Sequence, residues 1–599
     1  MELNLNNIST TESGNVRFSG ISSGIDSQSL IDSLLEAKRI PAVQIEAKIT
    51  QNNDRLTAIA DLKALTTDFA ERLDVLRGST SFFADDVFKT KQAFTNDRDS
   101  ALAPPGHVRS AAGDILGVSI TDGAVKGQRV VEVLNIAKAQ QIRSDAFTDT
   151  NTDLTTLGVS AGSFDVNGKT INIAAGDTLL DLRDKINATN TGETPSNVSA
   201  SIVSVSATEN YLVMTSTETG TTNDITFTGA QAVHNSIGLT TVGTNNVKTE
   251  LQAAEDAIFR ADNLGVDITR QSNTIDDLYQ GVTLDLFKAE EFTEIVIDIE
   301  DDLNSVKTAI IDFVDSYNAI REFMTDQKTE SIRTEGGDPE FGALNNEGLL
   351  RQIDQRLGSL VASIVPGTEN GFQSLGQVGI NINDDFLLEM DESVFDNKLL
   401  TNMDGIRKLF TFDAYSSDSR VSVIGHDGNL TYTVDGAGDA EPYYLNIAGT
   451  DAGGVITDAN LQTAAGGGTL GDGSITRAGN VMTVTDLSPA NGLKFSFNGG
   501  ASLGPVNDIE VTFTRGVADQ LYSFFDNVSK SAGLLDELST NVALEIEGQQ
   551  DRVEQIDLRL DIERRTLSAK YLAMETALFQ FNALREQLQK QADALNAGS

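Results

Sequence analysis

IEGQQDRVEQIDLRLDIERRTLSAKYLAMETALFQFNALREQLQKQADAL (546–595) carries an apolar residue at every seventh position: Ile546, Val553, Leu560, Leu567, Met574, Phe581, Leu588 and Leu595. No proline follows Pro505 to interrupt the stretch. An α-helix turns about once in 3.6 residues, so a strict seven-residue stripe drifts by about 20° per heptad. A lone straight helix would wind such a stripe around its own surface, whereas packing lengthwise on a partner keeps it facing one way. The d positions are mixed: Ile556 and Leu584 are apolar, but Glu563, Lys570 and Gln591 are not. That excludes a uniform two-stranded zipper and favours an asymmetric helical bundle.

A partner is available at the other end of the chain. Asp26 or Ser27 can cap a helix with Leu30, Ile31, Leu34 and Leu35 on one face. Pro41 is expected to end or kink it and to open a second helix. That second helix carries Ile45, Ile49, Leu56, Ile59, Leu62, Leu65, Phe69, Leu73 and Leu76, with Asn52 and Asn53 interrupting the stripe.

Between the ends the texture changes to short alternating runs broken by Gly, Asn and Asp. GQRVVEVLNIA (127–137) reads as a strand, and SFDVNGKTINI (163–173) as a hairpin turning at Asn167-Gly168 with Phe164 opposite Ile171. A short helix capped by Asp177 or Thr178 follows, then strands near 198–205, 210–215, 282–287 and 293–299. Helical periodicity returns at 306–324 and 349–365. A second β-rich segment spans about 416–515, with turn signals at Asp427-Gly428, Asp435-Gly436, Asp472-Gly473, Asn491-Gly492 and Asn498-Gly499. Near 517 the helical pattern resumes and is expected to run to the end.

The expected fold class is therefore α+β multidomain, with long N- and C-terminal helices forming a coiled-coil or helical-bundle stalk and inserted β-rich head domains. The expected divisions are a flexible polar N-terminus (1–25), N-terminal stalk helices (26–80), and a discontinuous β-rich head domain (81–145 and 245–300). A second head domain (146–244) is inserted in the first. A helical part of the stalk (301–415), an additional β-rich insert (416–515) and the C-terminal stalk helix (516–599) complete the chain.

Composition bounds the function. The 599 residues carry 88 acidic against 44 basic side chains, a net charge of −44. Such a chain is repelled by a nucleic-acid backbone and by anionic lipid. There is no cysteine, hence no disulfide and no thiolate chemistry. The first twenty residues lack a secretory apolar core, and no apolar run approaches the ~20 residues that span a bilayer. Taken alone, this reads as a soluble, cytosolic protein with no membrane insertion and no nucleic-acid partner.

Catalytic motifs are weak. Gly20-Ile21-Ser22-Ser23-Gly24 matches a nucleophile elbow but lacks the buried strand that must precede it. Gly168-Lys169-Thr170 resembles the end of a phosphate loop, yet Ser163 stands where a glycine is required. His107, His234 and His426 are far apart and read as ordinary surface or core residues. The acidic stretches 298–302 and 435–439 lack calcium-loop spacing and read as solvated loops. No catalytic residue, metal site or cofactor is expected.

At this point the order of segments resembles one family. SGISSGIDSQSLIDSLLEAKRIPAVQIEAKI (19–49), VVEVLNIAKAQ (130–140), SFDVNGKTINIAAGDTLLDLRDKIN (163–187), SNTIDDLYQGVTLDL (272–286), FVDSYNAI (313–320), FLLEMDESVFDNKLL (386–400) and YLAMETALFQFNALREQL (571–588) are similar, in colinear order, to the flagellar filament-capping (hook-associated protein 2) family. The β segment at 416–515 is the departure. The resemblance implies a non-enzymatic structural cap at the distal end of the bacterial flagellar filament, which retains exported flagellin and promotes its polymerisation. It implies a ring-like homo-oligomer of about five copies, contacts with flagellin and hook-associated subunits, an export chaperone, and secretion through the flagellar type III apparatus. That revises the cytosolic expectation. Leu34, Leu35, Ile45, Ile49, Leu56 and Ile59, with the eight heptad residues, are the expected assembly and packing positions. A surface adhesin using the β-rich heads, an extracellular enzyme and another hook–filament junction protein are the alternatives.

Overall fold

The computed structural model describes residues 8–10, 16–18, 26–78, 86–329, 341–426, 430, 441–462, 475–485 and 490–596. The chain divides into two compact units, residues 1–87 with 307–599, and residues 88–306. The Gly20–Gly24 motif, the turns at Asp427-Gly428, Asp435-Gly436 and Asp472-Gly473, and the 435–439 acidic run lie outside the described residues.

In the first unit a single helix runs from Ser27 to Leu76, with the Asp26 carboxylate accepting the Ser29 N–H at 3.1 Å as its cap. Pro41 lies inside this helix and does not end it, contrary to the sequence expectation. A proline in a helix interior loses one hydrogen bond and costs about 3 kcal/mol. Here the burial of Ile31, Leu35 and Ala42 on either side of it supplies compensation. Arg39, just before the proline, also grips Glu46 beyond it at 2.6 Å.

Toward its C-terminal end this helix enters an aromatic junction. The fully buried ring of Phe69 meets Phe525 edge-on at 4.8 Å, stacks on Phe313 at 5.8 Å and approaches Tyr317 at 6.4 Å. Phe313 in turn meets Phe410 at 5.7 Å. These rings come from the helices Ser27–Leu76, Leu303–Lys328, Met403–Phe410 and Val517–Ser529, so four distant segments share one core.

The C-terminal region is two helices, Val517–Ser529 and Leu534–Asn596, where one continuous helix was expected. The helical path is interrupted at Ala532, which adopts a left-handed φ of 59°, and the Gly533 N–H closes the turn on the Lys530 carbonyl at 2.8 Å. The Asp536 carboxylate accepts the Ala532 N–H at 3.0 Å. Both helices then pack on different lengths of Ser27–Leu76.

Among the described residues, the β insert of this unit forms two four-stranded antiparallel sheets. One orders the strands Phe412–Ser416, Val506–Arg515, Tyr443–Thr450 and Ile456–Gln462. The other orders Val421–His426, Leu493–Phe497, Val481–Val484 and Ile475–Ala478. Leu445, Ile447, Leu461, Met482, Phe495 and Val511 from both sheets form a core of their own. The two ends of the insert are neighbours, since Phe412 pairs with Arg515 and the Gly516 N–H reaches the Thr411 carbonyl at 2.8 Å. Only glycine fits at 516, because a Cβ there would lie 2.2 Å from the Phe410 carbonyl carbon.

A buried ionic network fastens the insert to the helices. Asp519, in the first turn of Val517–Ser529, accepts from Arg515 Nε at 2.5 Å and meets His426 Nε2 at 2.9 Å. Arg515 also donates to the Leu430 carbonyl at 2.6 Å and the Ser523 hydroxyl at 2.7 Å. Burial alone would raise the Asp519 pKa. The hydrogen bond with His426 and the charge of Arg515 overcome that and hold it below the usual carboxylate range.

The second unit holds two cores. A five-stranded sheet (order 268–270, 257–261, 127–135, 293–301, 91–99) and a three-stranded sheet share Val131, Val133, Phe259, Leu284, Ile295 and Ile297. The acidic stretch expected as a loop at 298–302 is here: Thr293–Asp301 is a strand, and Asp302 caps the next helix by accepting the Ser305 N–H at 3.0 Å. The second core lies between residues 142 and 239 and includes the 162–173 hairpin, whose Asn167 and Gly168 take φ of 45° and 75° and set Phe164 opposite Ile171. Thr178 and Asp181 form a reciprocal capping box on the helix Leu179–Ala188.

Because the folded pKa of Asp519 is depressed, its stabilisation is complete above its unfolded value of about 3.9 and is lost as pH falls through the folded value. Asp519→Asn leaves the Arg515 charge buried without its counter-ion, a loss of about 3–5 kcal/mol. Thermal unfolding of the full chain at pH 7 should show this as a lowered transition, with a weaker further decline on acidification to pH 3 than in the unsubstituted protein. An unchanged transition would remove the network as the fastening of the insert.

Candidate assembly surface on the terminal helices

The helices Ser27–Leu76 and Leu534–Asn596 pair antiparallel. Asp32 meets Arg564 at 3.0 Å, Arg39 meets Asp557 at 2.9 Å, Asn52 meets Gln549 at 3.3 Å, and Lys63 meets Asp536. Lys38 pairs with Glu563, one of the polar d positions, which explains its departure from the apolar pattern. Arg39 donates to both Asp557 and Glu46, which raises its own pKa and lowers that of Asp557. The ion pairs are solvent-exposed and are worth about 0–1 kcal/mol each, so they select direction and register more than they stabilise.

Inside the seam sits a polar relay. Asn52 and Gln549 are both buried, and Asn52 Nδ2 donates to Gln549 Oε1. Gln549 Nε2 donates to Glu545 at 3.0 Å, and Arg55 Nη1 donates to Asn52 Oδ1 at 2.9 Å. The sequence pattern treats Asn52 as an interruption of the stripe. A buried amide facing an amide on the partner is a register pin, because any slip leaves both groups unsatisfied.

The expected packing positions divide along the pair. Leu35 and Ile59 are buried, while Ile45, Ile49 and Leu56 are half-buried. Leu34 is exposed, and so is Leu30, so the expected four-residue face buries only Ile31 and Leu35. On the C-terminal helix Ile546 is 8% exposed and Val553, Leu560 and Leu567 are half-buried. Met574 rises to 37%, Phe581 to 65% and Leu588 to 58%. The Leu595 side chain lies outside the described residues.

The register explains this gradient. The N-terminal helix starts at Ser27, five residues before Asp32, so the stretch of C-terminal helix beyond about Lys570 passes its end. At 1.5 Å per residue, Tyr571–Asn596 extends about 39 Å. Leu572, Phe579, Phe581, Leu584 and Leu588 are all exposed along it. A second exposed row, Leu544, Leu558 and Ile562, continues back along the paired part, as in a helix that serves more than one partner.

The three histidines have structural places. His234 is buried, with Nδ1 2.6 Å from the Thr240 hydroxyl, and His107 Nε2 lies 3.0 Å from the Thr293 hydroxyl. His426 belongs to the Asp519–Arg515 network, a role that its isolated position in the sequence does not disclose. Among the described residues no group of three His, Cys, Asp or Glu side chains is placed to hold a metal, and no helix is long and apolar enough to cross a membrane.

These features define a class: a multidomain α+β protein whose terminal helices are built to pack lengthwise on further helices. Residues 23–140 match the flagellar hook-associated protein 2 N-terminus, and residues 254–583 match the flagellar hook-associated protein 2 C-terminus. The chain belongs to the flagellar hook-associated protein 2 family. It is 26% identical over 414 residues to the A-type flagellar hook-associated protein 2 of Pseudomonas aeruginosa, covering 66% of this chain and 80% of that one. It is 27% identical over 406 residues to the flagellar hook-associated protein 2 of Escherichia coli K12, with the same two coverages. A crystal structure of the flagellar cap protein FliD D1-D2-D3 domains from Escherichia coli aligns with a TM-score of 0.45 at 24% identity, covering 59% of this chain and 90% of that one.

Asn52→Leu should cost about 1–3 kcal/mol, because the Gln549 amide loses its buried partner. Asn52→Leu with Gln549→Leu should recover most of that loss. A double-mutant cycle in thermal unfolding measures the coupling, and purely additive costs would show that the pair does not pin the register.

Proposed function

We propose that this chain caps the distal end of the bacterial flagellar filament, where it retains exported flagellin and promotes its addition during elongation. The supporting observation is the bare apolar extension of the C-terminal helix. Its rows at 572–588 are exposed, yet burying a single Leu or Phe side chain gains about 1.5–3 kcal/mol. Several such side chains can hold a subunit at a filament end while still permitting it to be released and re-docked as the filament lengthens. The mixed d positions and second exposed row suit docking among several helices, in keeping with a closed ring of about five copies. The packing residues from Leu35 to Ile59 and from Ile546 to Leu567 join the two helices of one subunit, while Leu34 is exposed. Met574, Phe581 and Leu588 face filament subunits or neighbouring copies.

Two contexts accompany this function. The chain reaches the tip by flagellar type III export, held beforehand by an export chaperone that covers the same apolar helix. It works without cofactor or catalysis, since retention and folding of the exported subunit need only surfaces.

Phe581→Glu with Leu588→Glu should abolish capping and leave the fold intact, because both side chains are already exposed. Cells carrying the double variant should shed unpolymerised flagellin and lack full-length filaments. Electron microscopy of the filaments and circular dichroism of the purified variant check the two halves. Filaments of normal length would exclude the stripe as a docking element.

A further inference from the structure

In the second unit the strand Val198–Ser206 lies at the outer edge of a four-stranded sheet and has one neighbour, Glu209–Ser216. Its pairing sets Ala200 opposite Met214 and Ile202 opposite Leu212. The Leu212 N–H and C=O turn away from the edge strand to the hydroxyl and amide of Ser144. Ile202 is therefore in a non-hydrogen-bonded pair, and the main-chain groups of 198, 200, 202 and 204 point outward by the two-residue period.

The first half of this edge is sealed by side chains that imitate a neighbouring strand. Asn190 accepts the Val198 N–H at 3.2 Å and donates to its carbonyl at 3.0 Å. Asn187 accepts the Ala200 N–H at 2.7 Å and donates to its carbonyl at 2.9 Å. The seal stops there. At Ile202 and Ser204 no described side chain takes the outward N–H or C=O. From Val198 to Thr208 there is no charge and no proline, in a chain of net charge −44. Val203 and Val205, 47% and 65% exposed, flank the open groups. Natural edges are normally blunted by lysine, proline, a bulge or a cover, and among the described residues this half of the strand has only the pairing irregularity at Val205, where Ser204 and Ser206 face Asn210 and Glu209.

We propose that the open edge at Ile202–Ser206 binds an extended, uncharged polypeptide segment rich in β-branched and small residues, added as a further antiparallel or parallel strand. Only an extended main chain presents donors and acceptors at the two-residue spacing the edge requires. The open stretch is about five residues, roughly 17 Å, so the area it can bury falls well below the ~1,200 Å² of a stable interface. A folded second copy would also bring its acidic surface against this one, whereas an extended segment brings only its own few residues. The size and charge thus favour brief capture of a non-native chain over dimerisation. The natural occupant, an unfolded stretch of arriving flagellin, rests on the capping function proposed above; the edge chemistry does not.

The test uses the full chain and a fluorescein-labelled peptide, acetyl-SVTVSVTVS-amide, with a control peptide carrying proline at alternate positions. Ser204→Pro removes an outward donor and blocks the edge, at a position where proline does not break the pairing to Glu209–Ser216. Val205→Lys adds an edge charge at an exposed side chain. Fluorescence anisotropy should show saturable binding of the first peptide alone, weakened at least tenfold by Ser204→Pro and several-fold by Val205→Lys, with thermal unfolding unchanged in Val205→Lys and lowered in Ser204→Pro only by the loss of the Ser204 hydroxyl's bond to Asn210. Equal binding of the proline peptide, or wild-type affinity in both variants, would overturn the proposal. Concentration-dependent self-association abolished by Ser204→Pro would overturn it in favour of a second copy. Decoration of filament ends, scored separately by electron microscopy, reports on the capping function and can fail while peptide binding persists.

Discussion

The first unit depends on one side chain's surroundings. Phe69 brings together rings from helices that begin at residues 27, 303, 403 and 517, so the order of these segments in space is set around a single buried aromatic core. Edge-to-face and offset contacts of this kind are directional, adding about 0.5–1.5 kcal/mol each beyond the area they bury. Helix Val517–Ser529 is held there, and after the turn at Ala532 the last helix continues antiparallel along the first.

From that junction the two long helices diverge in what they bury. Near the junction, Leu62, Phe69, Leu73 and Leu76 are fully enclosed, whereas near the chain end nothing described covers Phe581 or Leu588. One continuous seven-residue pattern thus serves two purposes. Its first half satisfies an intramolecular seam, where a buried amide pair and exposed ion pairs choose the register. Its second half outruns the partner helix and leaves apolar surface that gains free energy only on assembly.

Charge is used in two distinct ways. The strongly acidic surface is paired in many places by exposed bridges that contribute little stability and much orientation. The Asp519–His426–Arg515 network is different, because it is buried where the β insert meets the helices. Its members are 93 residues apart along the chain or sit in adjacent turns, and each is compensated only when insert and helix are docked. Such a network penalises misdocking more than it rewards docking, which suits a module whose two ends emerge side by side.

Several features were legible in the sequence because they depend on local periodicity. The terminal amphipathic helices, the Asn167-Gly168 hairpin with Phe164 opposite Ile171 and the Thr178 cap all follow from patterns within a few turns or one hairpin. The colinear family segments likewise needed no coordinates. Tertiary structure decided the remainder. Pro41 stays inside a helix because burial on both sides of it outweighs a lost hydrogen bond, and residues 517–596 split because a left-handed turn brings both halves onto the first helix. Asn52 became a pin rather than a break, since its meaning lies in Gln549, nearly 500 residues away. The sequence by itself determined that an apolar stripe must be buried; only the fold decided how much of it this chain buries itself, because helix length and register, not periodicity, set where the partner ends.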